Sequence, residues 1–379
     1  MDAVDPVTAL QRIAFLLERS GAARYKSQAF RRAADVVRTV DADQLAAMAD
    51  SGSLTDLDGV GKSTAKVIAE ALRGDVPQYL DELERAAGGG TGDGADTGDQ
   101  GTDAGRRPQG GGRDGGRREA DTPMDLAAAE PIGPEAAALR ALLQGDCHSH
   151  SLWSDGGASV RDMAEAARDL GHAYLVMTDH SPRLTVAHGL DADRLRRQLD
   201  EIAALNADLA PFRILTGIEV DILADGALDQ TDDLLGQLDL VVASAHSKLR
   251  MDPAEMTDRL LAAVDSPHTD VLGHCTGRLI VGRGRPPSTF DADVVFDACA
   301  RTDTAVEINS RPERRDPPPD LLKLAVDHGC LFSIDTDAHA PGQLTWQGLG
   351  CNQAVAAGVS ADRVVNTWPM DRLLEWTAR

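Results

Sequence analysis

The stretch "GDCHSHSLWSDG" (145–156) places His148 and His150 one residue apart and Asp155 five residues further on. Alternate side chains on a strand share a face, so the two imidazoles point the same way and can serve one metal ion. Taken alone, the pair fits two solvated polar residues equally well. The rest of the chain tips the balance. Apolar runs lead straight into His180 ("VMTDH"), Glu219 ("TGIEVD"), His246 ("VVASAH"), His274 ("VLGH"), and Asp337 with His339 ("FSIDTDAH"). Six of the ten histidines occupy such positions, while His172, His188, His268 and His328 do not. Parallel α/β folds gather their active sites at the carboxyl ends of their strands, so these nine donors are expected to converge. A nitrogen and oxygen set without cysteine suits Zn²⁺, Mn²⁺ or Fe²⁺, and nine donors imply two or three ions. Three divalent cations would outweigh the three carboxylates and make the pocket attractive to an anion such as a phosphate ester. Clustered cations can activate water and neutralise phosphoryl oxygens.

Elements that would position these donors can be read from periodicity. Strands are expected near 144–148, 173–178, 213–219, 239–245, 270–274, 304–309 and 331–335. Helices are expected near 159–170, 191–207, 253–265, 291–302, 319–329 and 361–379. Their alternation predicts a parallel α/β domain, barrel or open sheet, over 134–379. Ahead of it, residues 88–122 hold 13 glycines and no Val, Ile, Leu, Met or aromatic residue. Such a segment buries too little to offset its ordering entropy, and a disordered linker is expected over 88–133. Residues 1–87 read as a small all-helical domain. Asp5-Pro6 opens its first helix, "KSQAFRRAADVVRTV" and "ADQLAAMAD" continue it, and a helical hairpin follows.

Bulk properties narrow the function classes. A net charge of −23 argues against a general nucleic-acid binder, because an acidic surface repels a polyanion. No apolar run approaches the length of a membrane span, and "MDAVDPVTAL" lacks the features of a signal peptide. Five scattered cysteines without a C-x-x-C pair read as reduced thiols in a cytoplasm.

The motif "GVGKST" resembles a phosphate-binding loop only superficially. Asp56 stands where that loop needs a glycine, and Thr64 stands where G-x-G-x-x-G needs its last one. A helix-hairpin-helix fits better: a short helix near 53–57, a turn at Gly59-Val60-Gly61, and a second helix from Lys62 to Arg73. Gly59, Val60, Gly61 and Lys62 would offer backbone amides to a DNA phosphate without reading bases. A plain helical turn in a protein-binding domain is the competing reading.

In order, "DCHSHSLWSDG", "TDHS", "GIEVDI", "ASAHS", "GHCTGRL", "EINSRP" and "SIDTDAH" resemble the PHP (polymerase and histidinol phosphatase) family, in particular the PHP domain at the C-terminus of bacterial family X DNA polymerases. The resemblance covers about residues 140–379. It implies a distorted seven-stranded (β/α) barrel with a trinuclear metal site. By motif, His148, His150, Glu219 and Asp337 would hold one metal. Glu219, counted among the catalytic residues, would bridge to a second held with His246 and His274. Asp155, His180 and His339 would hold the third. Arg278, Lys248 and Asn309 are candidates for contacting substrate phosphate. Cys275 departs from the family, where proline is usual, and "RPERRDPPP" (311–319) is expected to reshape the pocket rim. Residues 1–87 resemble the helical DNA-binding domain that opens family X polymerases, through "YKSQAFRRAA" and "LDGVGKSTAKVIAEAL". Val67 stands where the lyase enzymes of that family place a Schiff-base lysine, and the nucleotidyltransferase core is missing. Neither lyase nor polymerase activity is expected.

These features imply a metal-dependent phosphoric ester hydrolase. The domain pairing favours action on DNA ends in repair, as a 3′-phosphatase or 3′–5′ exonuclease. The acidic charge favours a small-molecule phosphatase of the histidinol-phosphate type, and a non-enzymatic, metal-stabilised repair scaffold is the third reading. The oligomeric state is left open by the sequence. A helical domain on a flexible tether would be dispensable for hydrolysing small esters.

Overall fold

The computed structural model describes residues 4–88 and 130–378. Asp5 accepts hydrogen bonds from the amides of Val7 and Thr8, and Pro6 occupies the first helical position, which fixes the start of α1 (Pro6–Arg19). Next come α2 (Arg24–Thr39), α3 (Ala42–Ser51), a 3₁₀ turn (Leu54–Asp56), α4 (Lys62–Leu72) and α5 (Gln78–Gly88). Leu10, Ile13, Leu17, Phe30, Val67 and Ile68 form a core separate from that of the second domain. Helix α5 has no counterpart among the expected elements; only Tyr79, Leu80 and Leu83 carry its apolar face. Most of the segment 88–133 lies outside the described residues. Its described end is tied down, with Glu130 paired to Arg315 at 2.5 Å and the Gly133 amide donating to Asn352 at 3.1 Å.

The second domain runs α6 (Pro134–Leu142), β1 (Gly145–Asp146), α7 (Val160–Asp169), β2 (Tyr174–Met177), α8 (Ala192–Leu209), β3 (Arg213–Asp221), α9 (Asp232–Leu235), β4 (Leu240–Ser244), α10 (Pro253–Val264), β5 (Val271–Leu272), α11 (Ala292–Thr302), β6 (Ala305–Asn309), α12 (Pro319–Asp327), β7 (Phe332–Asp335), α13 (Gln347–Ala357) and α14 (Met370–Thr377). The seven strands pair in sequence order, each parallel to the next. Alternation sends Leu175, Met177, Val241 and Ala243 outward to the helices, while Tyr174, Val176, Leu240 and Val242 face inward. Trp368 and Leu373 pack against that inner cluster at the amino ends of the strands.

The sheet closes in two ways. At the carboxyl end, Ser149 and Ala338 form a parallel bridge, and the His150 amide donates to Ala338 O at 2.8 Å. Lower down, side-chain amides replace the backbone ladder between β1 and β7. Asn366 Nδ2 donates to Gly145 O and Ile334 O, Asn366 Oδ1 accepts from the Ile334 amide, and Gln347 Nε2 bonds the same two carbonyls. The result is a nearly closed, distorted barrel.

Several expectations differ from the structure: like α5, the short helices α6 and α9 have no counterpart among the expected helices. Helix α13 is unanticipated because glycines let it sit close to its neighbours without a one-sided apolar pattern. A Cβ on Gly350 would lie 2.2 Å from Ser310 Oγ. The helix expected over 361–379 is instead two 3₁₀ turns (Ala361–Arg363, Val365–Thr367) and α14, because Pro369 removes a donor and blocks a continuous helix. Among the described residues all five cysteines are buried and free, and no helix is long and apolar enough to cross a membrane.

Replacing Asn366 by Leu keeps the volume but strands the Ile334 amide and leaves the seam's carbonyls to Gln347 alone; stability should fall by about 2–4 kcal/mol, read as a lower urea midpoint at unchanged slope. His172 supplies a pH test. Burial, reinforced by the Arg140 guanidinium 3.0 Å away, lowers its pKa from 6.5 to about 3. The unfolded chain therefore binds the proton first, and this contribution to stability is lost as pH falls from 6.5 towards 3. His172→Gln should flatten that part of the acid-denaturation profile.

Candidate metal centre

Strand ends deliver the donors. His148 and His150 follow β1, His180 follows β2, Glu219 lies near the end of β3, His246 follows β4, His274 follows β5, and Asp337 and His339 follow β7. Close strand crossing makes this possible at β5, where a Cβ on Gly273 would lie 2.2 Å from Ser244 Oγ. Asp155 reaches in from the loop after His150. That loop is built on Asp179, which accepts from the Ser151 amide and hydroxyl at 2.8 and 2.6 Å, from the Ser154 hydroxyl, and from Gln198 Nε2 at 2.5 Å.

The Glu219 carboxylate is the hub. It lies 2.7 Å from His180 Nδ1, 2.9 Å from His274 Nε2, 3.2 Å from His246 Nε2, 3.4 Å from His148 Nε2 and 3.6 Å from His150 Nε2. Asp155 Oδ1 lies 3.3 Å from His339 Nε2 and 3.5 Å from His180 Nε2. Asp337 Oδ1 lies 3.4 Å from His150 Nε2. All nine residues singled out from the sequence thus meet at one mouth of the barrel.

Among the described residues, three overlapping sets hold donor atoms close enough to share a cation. They are His148, His150 and Asp337; His180, Glu219 and His246; and His150, Asp155, His180 and His339. This partition differs in detail from the one implied by the family resemblance. His150 and His180 each belong to two sets, and His274 stands beside Glu219 but in none of them.

The donor atoms fit cations on chemical grounds. His148 Nε2, both ring nitrogens of His150 and His246, His180 Nδ1, Asp155 Oδ1 and Glu219 Oε2 are buried without a hydrogen-bond partner. Buried polar atoms left this way cost free energy unless something else satisfies them, and a cation is the acceptor that several lone pairs aimed at one volume would satisfy. Charge is already unequally shared. Burial opposes ionisation of Glu219, yet His246, His180 and His148 hold its pKa well below the ordinary carboxylate range. Burial also disfavours a proton on His148, but Glu219 and Glu307 outweigh it and raise its pKa well above 6.5. Burial, together with His339 and His180, lowers that of His150 to about 4.

Three acids and two arginines missed by motif reading complete the site. Glu307 Oε1 lies 2.6 Å from His148 Nδ1, and Oε2 accepts from the His274 amide at 2.5 Å. A carboxylate on one ring nitrogen orients the other towards the centre. Asp221 accepts from the His246 amide at 3.1 Å and lies 3.4 Å from its Nδ1, and Asp179 anchors the Asp155 loop. Arg311 Nη1 and Arg314 Nε lie 3.4 and 3.1 Å from Asp337, and Arg314 Nη1 is buried without a hydrogen-bond partner. The signal for Glu307 was its place inside β6, two residues before Asn309.

The phosphate candidates fare differently. Arg278 spends Nε on Arg314 O at 2.9 Å and Nη2 on Arg315 O, so its guanidinium braces the rim. Asn309 is fully buried and bonds Glu307 and Asp337 at 3.2 and 3.3 Å, which makes it a support for the acids. Lys248 is exposed, with φ 51°, outside the lining of the cleft. Cys275 is buried beside Asp316, 3.8 Å from Oδ1, and the Thr276 hydroxyl bonds the same carboxylate at 2.5 Å.

In the hairpin, Gly59 has φ 91°, the Val60 amide bonds Leu57 O at 3.0 Å, and the Gly61 amide bonds Thr64 Oγ1 at 2.9 Å. The Val60 side chain is buried, whereas Lys62 and Ser63 are exposed at the start of α4. Val67 is buried, and the neighbouring Lys66 turns outward to Gln78 Oε1 at 3.0 Å.

Residues 1–76 match the helix-hairpin-helix domain and residues 146–309 the PHP domain. Among curated proteins, the chain is 42% identical over 224 residues to the DNA polymerase/3′-5′ exonuclease PolX of Bacillus subtilis, covering 59% of this chain but only 39% of that one. It is 28% identical over 232 residues to a probable phosphatase of Syntrophotalea carbinolica, covering 58% of this chain and 90% of the relative. Among solved structures, it resembles the histidinol phosphate phosphatase of Lactococcus lactis, complexed with zinc, L-histidinol and phosphate, at 19% identity and a TM-score of 0.42 over 57% of this chain and 94% of that one.

Replacing Glu307 by Gln leaves the shape of the pocket but loosens His148 and the His274 backbone. Cation affinity, measured by equilibrium dialysis with elemental analysis, should fall about 10–100-fold.

Proposed function

We propose that this chain, whose residues 1–76 match the helix-hairpin-helix domain and residues 146–309 the PHP domain, is a multinuclear metal-dependent phosphoesterase that releases phosphate or a terminal nucleotide from DNA ends. The observation that carries the hydrolytic part is the convergence of nine imidazoles and carboxylates at one mouth of the barrel, five of the imidazoles around Glu219, with donor atoms left without a hydrogen-bond partner. His148, His150, Asp155, His180, Glu219, His246, His274, Asp337 and His339 would hold the ions, with zinc, manganese and ferrous iron the best matches to this donor set. When bound, such cations activate water and neutralise the charge developing on phosphoryl oxygens.

This chain's own residues supply the rest. Glu307 and Asp221 keep the imidazoles in register. Arg314 presents an unpaired N–H edge to the anion, and Arg311 lies beside it. Both belong to the cleft lining, about 800 Å³ in volume, and orient the phosphoryl group by charge-assisted hydrogen bonds. Leu184, Val186 and Val281 at the rim offer apolar contact to whatever carries the phosphate.

Support for DNA comes from the placement of the hairpin. Gly59 packs on Arg32 and Val36 of α2, and Arg24 at the other end of that helix reaches the cleft. Eight to twelve helical residues span about 12–18 Å, within reach of a strand held at the hairpin. A second cavity, in the helical domain, is lined by Lys26, Lys62 and Lys66 with Tyr25 and Tyr79, but also by Glu82 and by Glu70, which lies 3.7 Å from Lys66 Nζ, so its lysines are largely balanced. The five buried, unbridged thiols support a cytoplasmic setting. The net charge of −23 favours the second reading, a small-ester phosphatase of the histidinol-phosphate type.

A panel of phosphate esters and end-labelled oligonucleotides, incubated with the Mn²⁺- or Zn²⁺-loaded protein, separates the readings. Higher kcat/KM on 3′-phosphorylated or 3′-hydroxyl DNA than on histidinol phosphate is the expected outcome, and the reverse order would establish the small-ester reading. His148→Ala should remove at least about 99% of either activity, and Arg314→Ala should lower kcat/KM by about 10–100-fold. No turnover of any ester leaves the scaffold reading.

A further inference from the structure

The helical domain does not hang free of the barrel. The carboxyl end of α1 lies on the 3₁₀ segment Pro341–Trp346, which begins two residues after His339. Glu18, almost fully buried, is gripped by Arg31 through Nε at 2.6 Å and Nη2 at 2.7 Å, and its Oε2 accepts from the Gly342 amide at 3.0 Å. Trp346 Nε1 donates to Arg19 O at 3.0 Å. The approach is backbone against backbone, since a Cβ on Gly342 would sit 2.2 Å from Phe15 O and 2.8 Å from the Arg19 nitrogen.

A second contact touches the site. Arg24 Nη2, from the first turn of α2, donates to Gly156 O at 2.8 Å. Gly156 follows Asp155 directly, and the Gly157 amide donates to His339 O at 2.6 Å. One guanidinium from the helical domain thus holds the short loop that aims Asp155 at His180 and His339. The turn between α1 and α2, Gly21 to Ala23, also lines the cleft together with Asp155, His180, Glu219 and His339. We propose that the helical domain forms one wall of the hydrolytic cleft, with Arg24 a positioning residue for the Asp155 loop. This rests on the barrel mouth being the hydrolytic site. It reverses the expectation of a dispensable tethered module, because the domain serves the hydrolysis of every ester, small ones included.

The test uses the full chain, loaded with Mn²⁺ or Zn²⁺, as wild type, Arg24→Ala, Arg24→Lys and Gly342→Val. Three quantities are measured: kcat and KM on p-nitrophenyl phosphate, hydrogen–deuterium exchange of residues 151–157, and bound metal per chain. Arg24→Ala should lower kcat about tenfold with little change in KM, through misplacement of Asp155. Exchange over 154–157 should accelerate about tenfold, the weight of one charge-assisted hydrogen bond, and Arg24→Lys should restore part of both. Gly342→Val should reproduce the faster exchange at 154–157 and extend it to 341–346; if that variant fails to fold, the Arg24 pair decides alone. Wild-type exchange at 154–157 and wild-type kcat on the small ester in Arg24→Ala would overturn the proposal, even if DNA turnover fell. A wild type inert towards all esters would instead sink the phosphoesterase reading, and the exchange data would then judge the positioning claim independently.

Discussion

One buried carboxylate surrounded by five imidazoles is the constraint to which the rest of the barrel answers. Glu219 can balance at most one positive charge, yet five ring nitrogens lie within 3.6 Å of it. Protonating all the rings would set like charges against each other at ring separations of 4.4–5.9 Å, while leaving them neutral aims lone pairs at one another and at the carboxylate. A small group of cations would resolve that conflict, because each lone pair would then gain a partner. The surrounding architecture keeps the conflict from relaxing. The sheet cannot spread, since its edges are joined by the Ser149–Ala338 bridge above and by the amides of Asn366 and Gln347 below.

Electrostatics works on two scales. Over the whole chain the charge is strongly negative, which disfavours polyanions at long range. At the mouth, Arg311 and Arg314 stand beside Asp337, and bound cations would add to them. Screening by salt reduces interactions beyond about 10 Å, so the local field governs a phosphate once it is inside the cleft. The same arginines come from the "RPERRDPPP" segment, where buried Asp316 ties the loop to Thr276 and Arg278.

Docking of the helical domain links fold to chemistry in a way neither domain expresses alone. Its hydrophobic core is complete without the barrel, so the interface relies on a few directed contacts: Glu18 to an amide, Trp346 to a carbonyl and Arg24 to the Asp155 loop. Each of these uses a main-chain partner. Substitutions in the contacted loops therefore leave the bonds intact until they alter backbone shape, as at Gly342.

Eight of the nine donors were readable from the chain because they lie at or just beyond the end of an apolar strand, and a parallel sheet sends every such end to the same face; Asp155, on a loop, was readable only by its spacing from His150. Strand positions and most helices were readable from periodicity for the same reason: local pattern fixes local structure. Helix α13 was not, because glycines that permit close packing erase the amphipathic signal, and neither was the break at Pro369 within the last expected helix. Nor could sequence decide which polar residues near the site face inward. Arg278 and Asn309 look like substrate contacts by motif but spend their donors on the loop and the acids, whereas Glu307, Arg311 and Arg314 meet the centre. The amino-acid order by itself determined which residues the strands carry to the barrel mouth. Only the tertiary structure decided their partition into overlapping sets, their supporting carboxylates and the wall lent by the helical domain, because those depend on distances between segments that no local pattern encodes.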